Sequence, residues 1–445
     1  MKVIHAVGWY LPDSLGGTEV YVAAIARLMK EAGHTVAVAA PERGREGRRR
    51  YDEQGVAVFR YGIPAALSRA ECQGLKPVRG VDLLHGWLAS ERADVVNVHT
   101  LTTGLGLREL EHAKQLGAAV IVTSHLGSHG WLCQRGTLLQ WGEKPCDGHA
   151  ATNKCAPCML QMRGLPRPVA AIVGGIPPSI GRAFARIHGK AGTALGMSDL
   201  IRRNLDNQAR MVALVDALVV LSRAAYDVVI ANGAPNDKVA LNRLGSSIPR
   251  GSFKPSPEEQ PTKPPVKIGY AGRFEPIKGA LDLARAVASL PRDFPIRVEF
   301  RGPVKDERDR GTVAEIRRLL GDDPRVTIEP AAPSAGMDRI LRGYDVLCCP
   351  STCFENGPTV AIEAQAVGTP VIGTRMGGMP ELIEDGVNGV LVTPGDWRSL
   401  ADVLRRVGSE PAATIDTWRR ALRPGRTMHQ VAADYLELYR RCSAR

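Results

Sequence analysis

The chain has 445 residues, roughly three times a usual single-domain length of about 150, which excludes one small module and favours two domains. Apolar residues make up 44% and charged residues 23%, near the globular average, so the sequence can bury sizeable cores and is not disordered. Lysine and arginine outnumber aspartate and glutamate by 58 to 46, a net +12 that favours acidic ligands, nucleic acid or an anionic membrane without choosing among them.

Met1 to Ala6 enters an apolar strand directly and lacks the charged leader and cleavage site of a signal peptide. The longest apolar run, Met211 to Leu221, is broken by Asp216 and is too short to span a bilayer. A cytoplasmic protein, or one peripheral on the inner face of a membrane, is expected. Strand patterns at Val3 to Ala6, Val36 to Ala40, Val95 to Val98 and Ala119 to Thr123 alternate with helical patterns at Thr18 to Lys30 and Leu105 to Leu116. After an irregular, cysteine-rich stretch the alternation resumes at Ala217 to Leu221, with a helix over Arg223 to Asn232 and a short run near Val239. Apolar strands alternating with helices predict a parallel sheet covered on both faces, a doubly wound α/β domain over residues 1–250 with a cysteine insertion at about 131–160.

Residues 251–265, GSFKPSPEEQPTKPP, hold five prolines and no apolar periodicity, so they are expected to form an extended linker. A second alternation follows over residues 266–420. Its strands are expected at Val266 to Ala271, Ile296 to Arg301, Val326 to Ile328, Val346 to Cys349 and Pro370 to Gly373, and its helices at Ala280 to Ser289, Thr312 to Leu320 and Thr359 to Val367. The tail, 421–445, contains a helical pattern at Met428 to Tyr439 that can cross back to the first domain. In open parallel sheets ligands bind outside the carboxyl ends of the strands, so function is expected in the loops that follow them.

The richest of these loops is Cys353 to Thr374. Asn356 is expected to cap a helix, Gly357 to let a ligand approach the backbone, and Pro358 to occupy the first turn before Thr359. Free amides and the positive dipole end then suit a phosphate. Glu363, one turn inside, can reach the vicinal hydroxyls of a ribose, and Glu355 precedes the cap. In the loop from Ala271 to Gly279, Arg273 and Lys278 supply a planar fork and a point charge, a pairing suited to negative charge developing on a diphosphate leaving group.

The glycine pair Gly16-Gly17, the Gly272-Arg273-Phe274 run with Lys278, the two glutamates Glu355 and Glu363, and the run from Gly377 to Glu381 together resemble the family-4 retaining glycosyltransferases, specifically a subset with a four-cysteine insertion. The resemblance is strongest from Val266 to Asp396. It implies a GT-B fold, in which two doubly wound Rossmann-like domains face one another across a cleft. A nucleotide diphosphate sugar would be held mainly by the second domain, and a hydroxyl acceptor (glycan, lipid-linked or small molecule) by the first. Carried over, Arg273 and Lys278 bind the diphosphate and Glu363 the ribose. Glu355 with Asn356, Gly357, Pro358 and Thr359 meets the transferred sugar, Gly16 and Gly17 approach the phosphate or acceptor, and His125 lies near the sugar. The chain departs from the family at Asn242-Arg243-Leu244-Gly245-Ser246, where relatives close the first domain with an Asn-Gly-Ile/Val-Asp turn, and no aspartate follows His125. The implied mechanism retains configuration by attack on the face from which the diphosphate leaves, with no protein nucleophile and no catalytic metal. Competing readings are a non-catalytic nucleotide-sugar or nucleic-acid binding protein and a nucleotide-sugar epimerase. Phe184 is the only aromatic between Lys154 and Arg203, too few for base stacking, so no nucleic-acid partner is expected.

Cys133, Cys146, Cys155 and Cys158 end in a two-residue knuckle that suits a structural zinc or an iron–sulfur cluster, with His149 able to replace one ligand. From Lys154 to Arg203 eight basic residues face one acid, Asp199. There Ile180, Ala183, Phe184 and Ile187 recur at helical spacing opposite Arg182, Arg186 and Lys190. This is the pattern of an interfacial helix on anionic lipid, or equally of a helix packed on its own domain with a solvated basic face. Arg48, Arg49 and Arg50 are read as a second basic loop.

Overall fold

Short strands, most of them Val- and Ile-rich and many followed by a helix, build two large sheets in this chain, with a separate two-stranded hairpin. The structure is a computed structural model that describes every residue except 14–15, 100, 126–132, 185–186, 249–255, 333–335 and 445. It divides into one unit of residues 1–243 with 428–445 and another of residues 244–427.

The strands of the first unit are β1 (Lys2–Ala6), β2 (Thr35–Arg43), β3 (Arg48–Glu53), β4 (Val56–Ile63), β5 (Val95–Val98), β6 (Ala119–Ser124), β7 (Leu139–Gln140), β8 (Lys144–Pro145), β9 (Ala217–Val220) and β10 (Val239–Leu241). Eight form one sheet in the order β10-β9-β6-β5-β1-β2-β4-β3, parallel except for β3. Ile4 of β1 sits between Ala37 of β2 and Val96 of β5, so β1 is buried on both edges and both faces. Strand order reverses between β1 and β5, which places a topological switch point at their carboxyl ends. The last helix, Met428–Ser443, closes this unit by burying Val431, Ala432, Tyr435 and Tyr439. Asn97 Nδ2 donates to the Tyr439 hydroxyl at 2.6 Å.

Several expectations are corrected here. Arg48, Arg49 and Arg50 are not a loop but edge strand β3, where Arg49 pairs with Glu42 at 3.2 Å; charged side chains are a common way to keep an edge strand from pairing further. The stretch from Thr152 onward is helical, with helices Thr152–Met162, Arg167–Gly174, Pro178–Phe184, Gly189–Leu195 and Met197–Leu214, of which the first, second and last share a small core of Ala156, Leu160, Ala170, Met197 and Ile201. The supposed continuous helix through Ile180 and Ile187 is two short ones with a break between them, and Arg186 lies outside the described residues. Asp216 divides the long apolar run by accepting the Val120 amide at 2.8 Å, so that its two sides belong to a helix and to β9.

The second unit has six parallel strands, β11 (Val266–Ala271), β12 (Ile296–Gly302), β13 (Val326–Pro330), β14 (Val346–Cys348), β15 (Val371–Thr374) and β16 (Gly389–Val392), in the order β13-β12-β11-β14-β15-β16. Its switch point lies between β11 and β14. The core on one face includes Ile268, Tyr270, Phe300, Leu404 and Trp418. The proline-rich segment is only partly a free connector. Thr262 is buried and its hydroxyl donates to Asp416 at 2.6 Å, while Arg419 donates to the Gln260 carbonyl at 2.9 Å, so this end is held to the second unit. The division falls at 243/244 rather than near 250. Among the described residues no helix is long and apolar enough to cross a membrane.

Candidate active site

In the second unit three loops meet at the carboxyl ends of β11, β14 and β15. The loop after β11 turns through a short 3-10 segment, Pro276–Lys278, and is tied to the loop after β14 by the Thr352 amide, which donates to the Ile277 carbonyl at 2.9 Å. Lys278 Nζ thereby reaches Glu355 Oε1 at 3.0 Å, and the Ser351 hydroxyl also donates to Glu355. The loop after β15 closes over the same residue, because the Gly378 amide donates to the Glu355 carbonyl at 2.7 Å. Gly377 takes φ +60, and a Cβ there would strike the Glu355 backbone, so only glycine lets this loop approach so closely. Arg273 is exposed on the first loop and pairs with Glu275.

Asn356 does not cap the following helix. Gly357 takes φ +137 and Pro358 is still extended at φ −58, ψ 125, so helical dihedrals begin at Thr359 and Pro358 is the N-cap. The Ala361 and Ile362 amides bond to the Pro358 carbonyl, which leaves the first-turn amides of Thr359 and Val360 without an intrahelical acceptor. Val360 was not expected in this role. Glu363 sits in helix Thr359–Ala366 with no side-chain partner among the described residues, and burial raises its carboxyl to about 7. Burial, and then Glu355, push the thiols of Cys349 and Cys353 up, so neither behaves as a nucleophile.

In the first unit Gly16 is the N-cap of helix Gly17–Glu31, and a Cβ on it would collide with the Glu19 carboxylate that folds back over the helix start. Gly17 faces open space. His125 follows β6 and is buried, with its ring edge-on to Tyr21 at 5.3 Å between centroids. Burial lowers its pKa to about 4. Sequence reasoning missed the two histidines behind it, His5 and His99. It also missed a cavity of about 1000 Å³ beyond the ends of β1 and β5, whose lining includes Trp9, Leu101, Met197, Lys76, Arg108 and Arg163.

Burial first, and then Cys133, Cys146 and Cys158, raise the Cys155 thiol. The Trp141 amide donates to Cys158 Sγ at 3.3 Å, and Arg135 braces the same turn through the Cys158 carbonyl at 3.1 Å. Among the described residues no three Cys, His, Asp or Glu side chains are grouped to hold a metal.

Two open sheets, each with a switch point in its strand order, define a two-domain α/β protein of GT-B architecture. Solved structures agree over the full chain: sucrose-phosphate synthase from Thermosynechococcus elongatus superposes with a TM-score of 0.67 at 18% identity, covering 100% of both chains. HepE from Anabaena in complex with UDP-glucose gives 0.62 at 15% identity, covering 99% of this chain and 100% of that one. Residues 16–173 match the family described as glycosyl transferase 4-like domain, and residues 265–410 the family described as glycosyl transferases group 1. One family match falls within each unit. Curated relatives include a D-inositol 3-phosphate glycosyltransferase from Corynebacterium kroppenstedtii, 38% identical over 29% of this chain and 30% of the relative. Another protein of that name, from Saccharomonospora viridis, is 30% identical over 50% of this chain and 54% of the relative. The chain thus spans about half or less of the length of these relatives.

Proposed function

We propose that this protein is a retaining glycosyltransferase that moves a sugar from a nucleotide diphosphate sugar to an acceptor hydroxyl. The observation that carries the reading is the meeting of Lys278, Glu355 and the start of helix Thr359–Ala366 at the switch point of β11 and β14. With no donor bound, Lys278 is neutralised by Glu355. A diphosphate draws the ammonium to its oxygens, with Arg273 and the Thr359 and Val360 amides as further donors, and frees Glu355 to hold hydroxyls of the transferred sugar. Glu363 accepts from the ribose. Gly16, Gly17 and His125 contribute from the first unit, His125 toward the sugar. The bond between the anomeric carbon and the diphosphate breaks as the acceptor oxygen bonds to the same face, and a leaving phosphate oxygen takes the acceptor's proton. Charge stabilisation and positioning supply the catalysis, so the reading needs no catalytic metal.

The acceptor binds in the 1000 Å³ cavity of the first unit, whose lining sets six basic residues against three acidic ones beside apolar side chains and so suits a polar molecule carrying phosphate. The name shared by the curated relatives supports the same class. We further infer contact with an anionic membrane through the helical insertion. Its exposed apolar residues Val169, Ile172, Ile180 and Ile187 stand among Arg163, Arg167, Arg182 and Lys190, and no acid occurs between Lys154 and Ser198. We also propose a structural zinc or iron–sulfur cluster at Cys133, Cys146, Cys155 and Cys158, a reading supported by the two-residue spacing of Cys155 and Cys158 and by the influence of the other three thiols on Cys155.

Nucleotide diphosphate sugars screened for thermal stabilisation identify the donor, because a ligand at about 100 times its Kd adds about 2.7 kcal/mol of stability. Transfer from that donor to hydroxyl acceptors with and without phosphate, with the product's anomeric configuration read by NMR, then tests the reaction. Inversion of configuration would reject the mechanism, and a free epimerised sugar formed without acceptor would favour the epimerase.

A further inference from the structure

Three imidazoles stand in line across adjacent strands of the first unit. His5 lies on β1, His99 follows β5 and His125 follows β6. His5 Nδ1 is 2.9 Å from His99 Nε2, and His99 Nδ1 is 3.4 Å from His125 Nε2. His5 and His99 are wholly buried, and burial holds all three rings neutral, with His5 at about 3, His125 at about 4 and His99 far below the ordinary value. Each ring therefore carries one proton shared between two nitrogens.

The two contacts can be satisfied together in only two ways. If protons point outward, His5 Nδ1–H donates to His99 Nε2 and His99 Nδ1–H donates to His125 Nε2. The inner end of the line is then a bare lone pair on His5 Nε2, and the outer end is an N–H on His125 Nδ1. If protons point inward, every donor reverses and His5 Nε2 becomes an N–H. His5 Nε2 is buried and meets no partner among the described residues. An orphaned N–H is rarer in folded interiors than an unsatisfied acceptor, so the outward direction is the more stable one.

The ring planes are held by a second ordered chain. The Tyr21 hydroxyl donates to Tyr435 at 3.2 Å, the Tyr435 hydroxyl lies 3.0 Å from Thr123 Oγ1, and Thr123 donates to Asn97 Oδ1 at 3.0 Å. With the Thr123 proton committed to Asn97, Tyr435 is the donor to Thr123. Tyr21 meets His125 and His99 edge-on, at 5.3 and 6.2 Å between centroids.

We propose that His5 and His99 are positioning residues that fix His125 in the neutral tautomer with its proton on Nδ1, so that His125 offers the sugar an N–H donor rather than a lone pair. The role toward the sugar rests on the reading of His125 given above; the tautomer does not.

Nitrogen-15 NMR of protein carrying labelled histidine, with His125 assigned by the signal lost in His125→Gln, tests the tautomer directly. His125 should be protonated on Nδ1 alone, and a ring protonated on Nε2 or averaging between both would overturn the proposal. His5→Leu removes the inner donor. It should give mixed tautomers at His125 and lower transfer roughly tenfold at unchanged nucleoside diphosphate affinity, whereas His5→Asn, whose amide N–H can stand in for Nδ1–H, should restore both. Unaltered His125 signals in folded His5→Leu would also overturn it, and if that variant does not fold, the parent spectrum alone decides. Undiminished transfer by His125→Gln would remove the sugar-contact reading while leaving the tautomer assignment standing.

Discussion

Replacing Glu363 by glutamine separates what the residue costs the fold from what it does for a ligand. In the unfolded chain its carboxyl ionises near 4.5, and in the folded protein burial holds it at about 7. Between those values the folded state binds the proton and the unfolded state does not, so stability falls as pH rises from about 4.5 to about 7 and stays low above. The full gap corresponds to about 3 kcal/mol, of which roughly 2.5 kcal/mol develops between pH 5 and pH 8. Glutamine has nothing to ionise, so over that interval Glu363→Gln should gain on the order of 2.5 kcal/mol relative to the parent in urea titrations. Nucleotide binding should move the other way. Ribose hydroxyls donate to the carboxylate, so binding releases a proton below pH 7 and parent affinity should weaken by up to about tenfold per pH unit there. The variant should bind at least about tenfold more weakly than the ionised parent at pH 8, with little pH dependence, because a charge-assisted bond is worth roughly 1.5 to 3 kcal/mol. Calorimetry at pH 6 and pH 8 measures this. A stability difference that does not change with pH would refute the burial argument, and parent-like affinity at pH 8 would refute the ribose role.

Arg273→Ala and Lys278→Ala should each lower transfer at least about tenfold by removing a charge-assisted phosphate contact, and folded variants of full activity would exclude this diphosphate site. Glu355→Ala should reduce turnover even at saturating donor; a change confined to nucleotide affinity would reject its assignment to the sugar. Elemental analysis of anaerobically prepared protein should find about one zinc per chain, or iron with labile sulfide, and the absence of both would end the cysteine proposal. Co-sedimentation with anionic vesicles at low salt should exceed that with neutral ones and weaken when Arg163, Arg182 and Lys190 are replaced, by about 1 kcal/mol for each charge. A parent protein that ignores anionic vesicles would remove the membrane contact.

The central strands were legible because a strand buried on both faces is mostly apolar, as in β1, β5, β6, β11 and β14, whose few polar residues do not break the run. Elements at the sheet margins were not. β3 reads RRRYDE, with nothing in its pattern to distinguish an edge strand from a charged loop. β4 carries Arg60 amid apolar residues, a buried arginine that is met by Asp13, from the turn after β1, at 3.1 Å and by the Tyr10 carbonyl at 3.3 Å. The helices between Thr152 and Leu214 are mostly one or two turns long, cut by Gly and Pro, and too short for a 3.6-residue period to register.

Motif position singled out Lys278, Glu355 and Glu363, since each follows the end of a strand in sequence, and the structure brings Lys278 and Glu355 together. What motif position could not find are residues whose meaning arises from strand neighbours. His5 is a polar residue inside an apolar strand until parallel pairing sets β1 beside β5 and brings His99 against it from 94 positions away. The error at Asn356 has a different origin. A cap is defined by dihedrals rather than residue type, and the Gly357–Pro358 pair keeps the backbone extended two residues past the asparagine. That delay moves the unpaired amides from Asn356 and Gly357 to Thr359 and Val360. It also leaves Glu363 only one turn from the helix start, so that the amides that can meet a phosphate and the carboxylate that can meet its ribose rise from successive turns of the same helix.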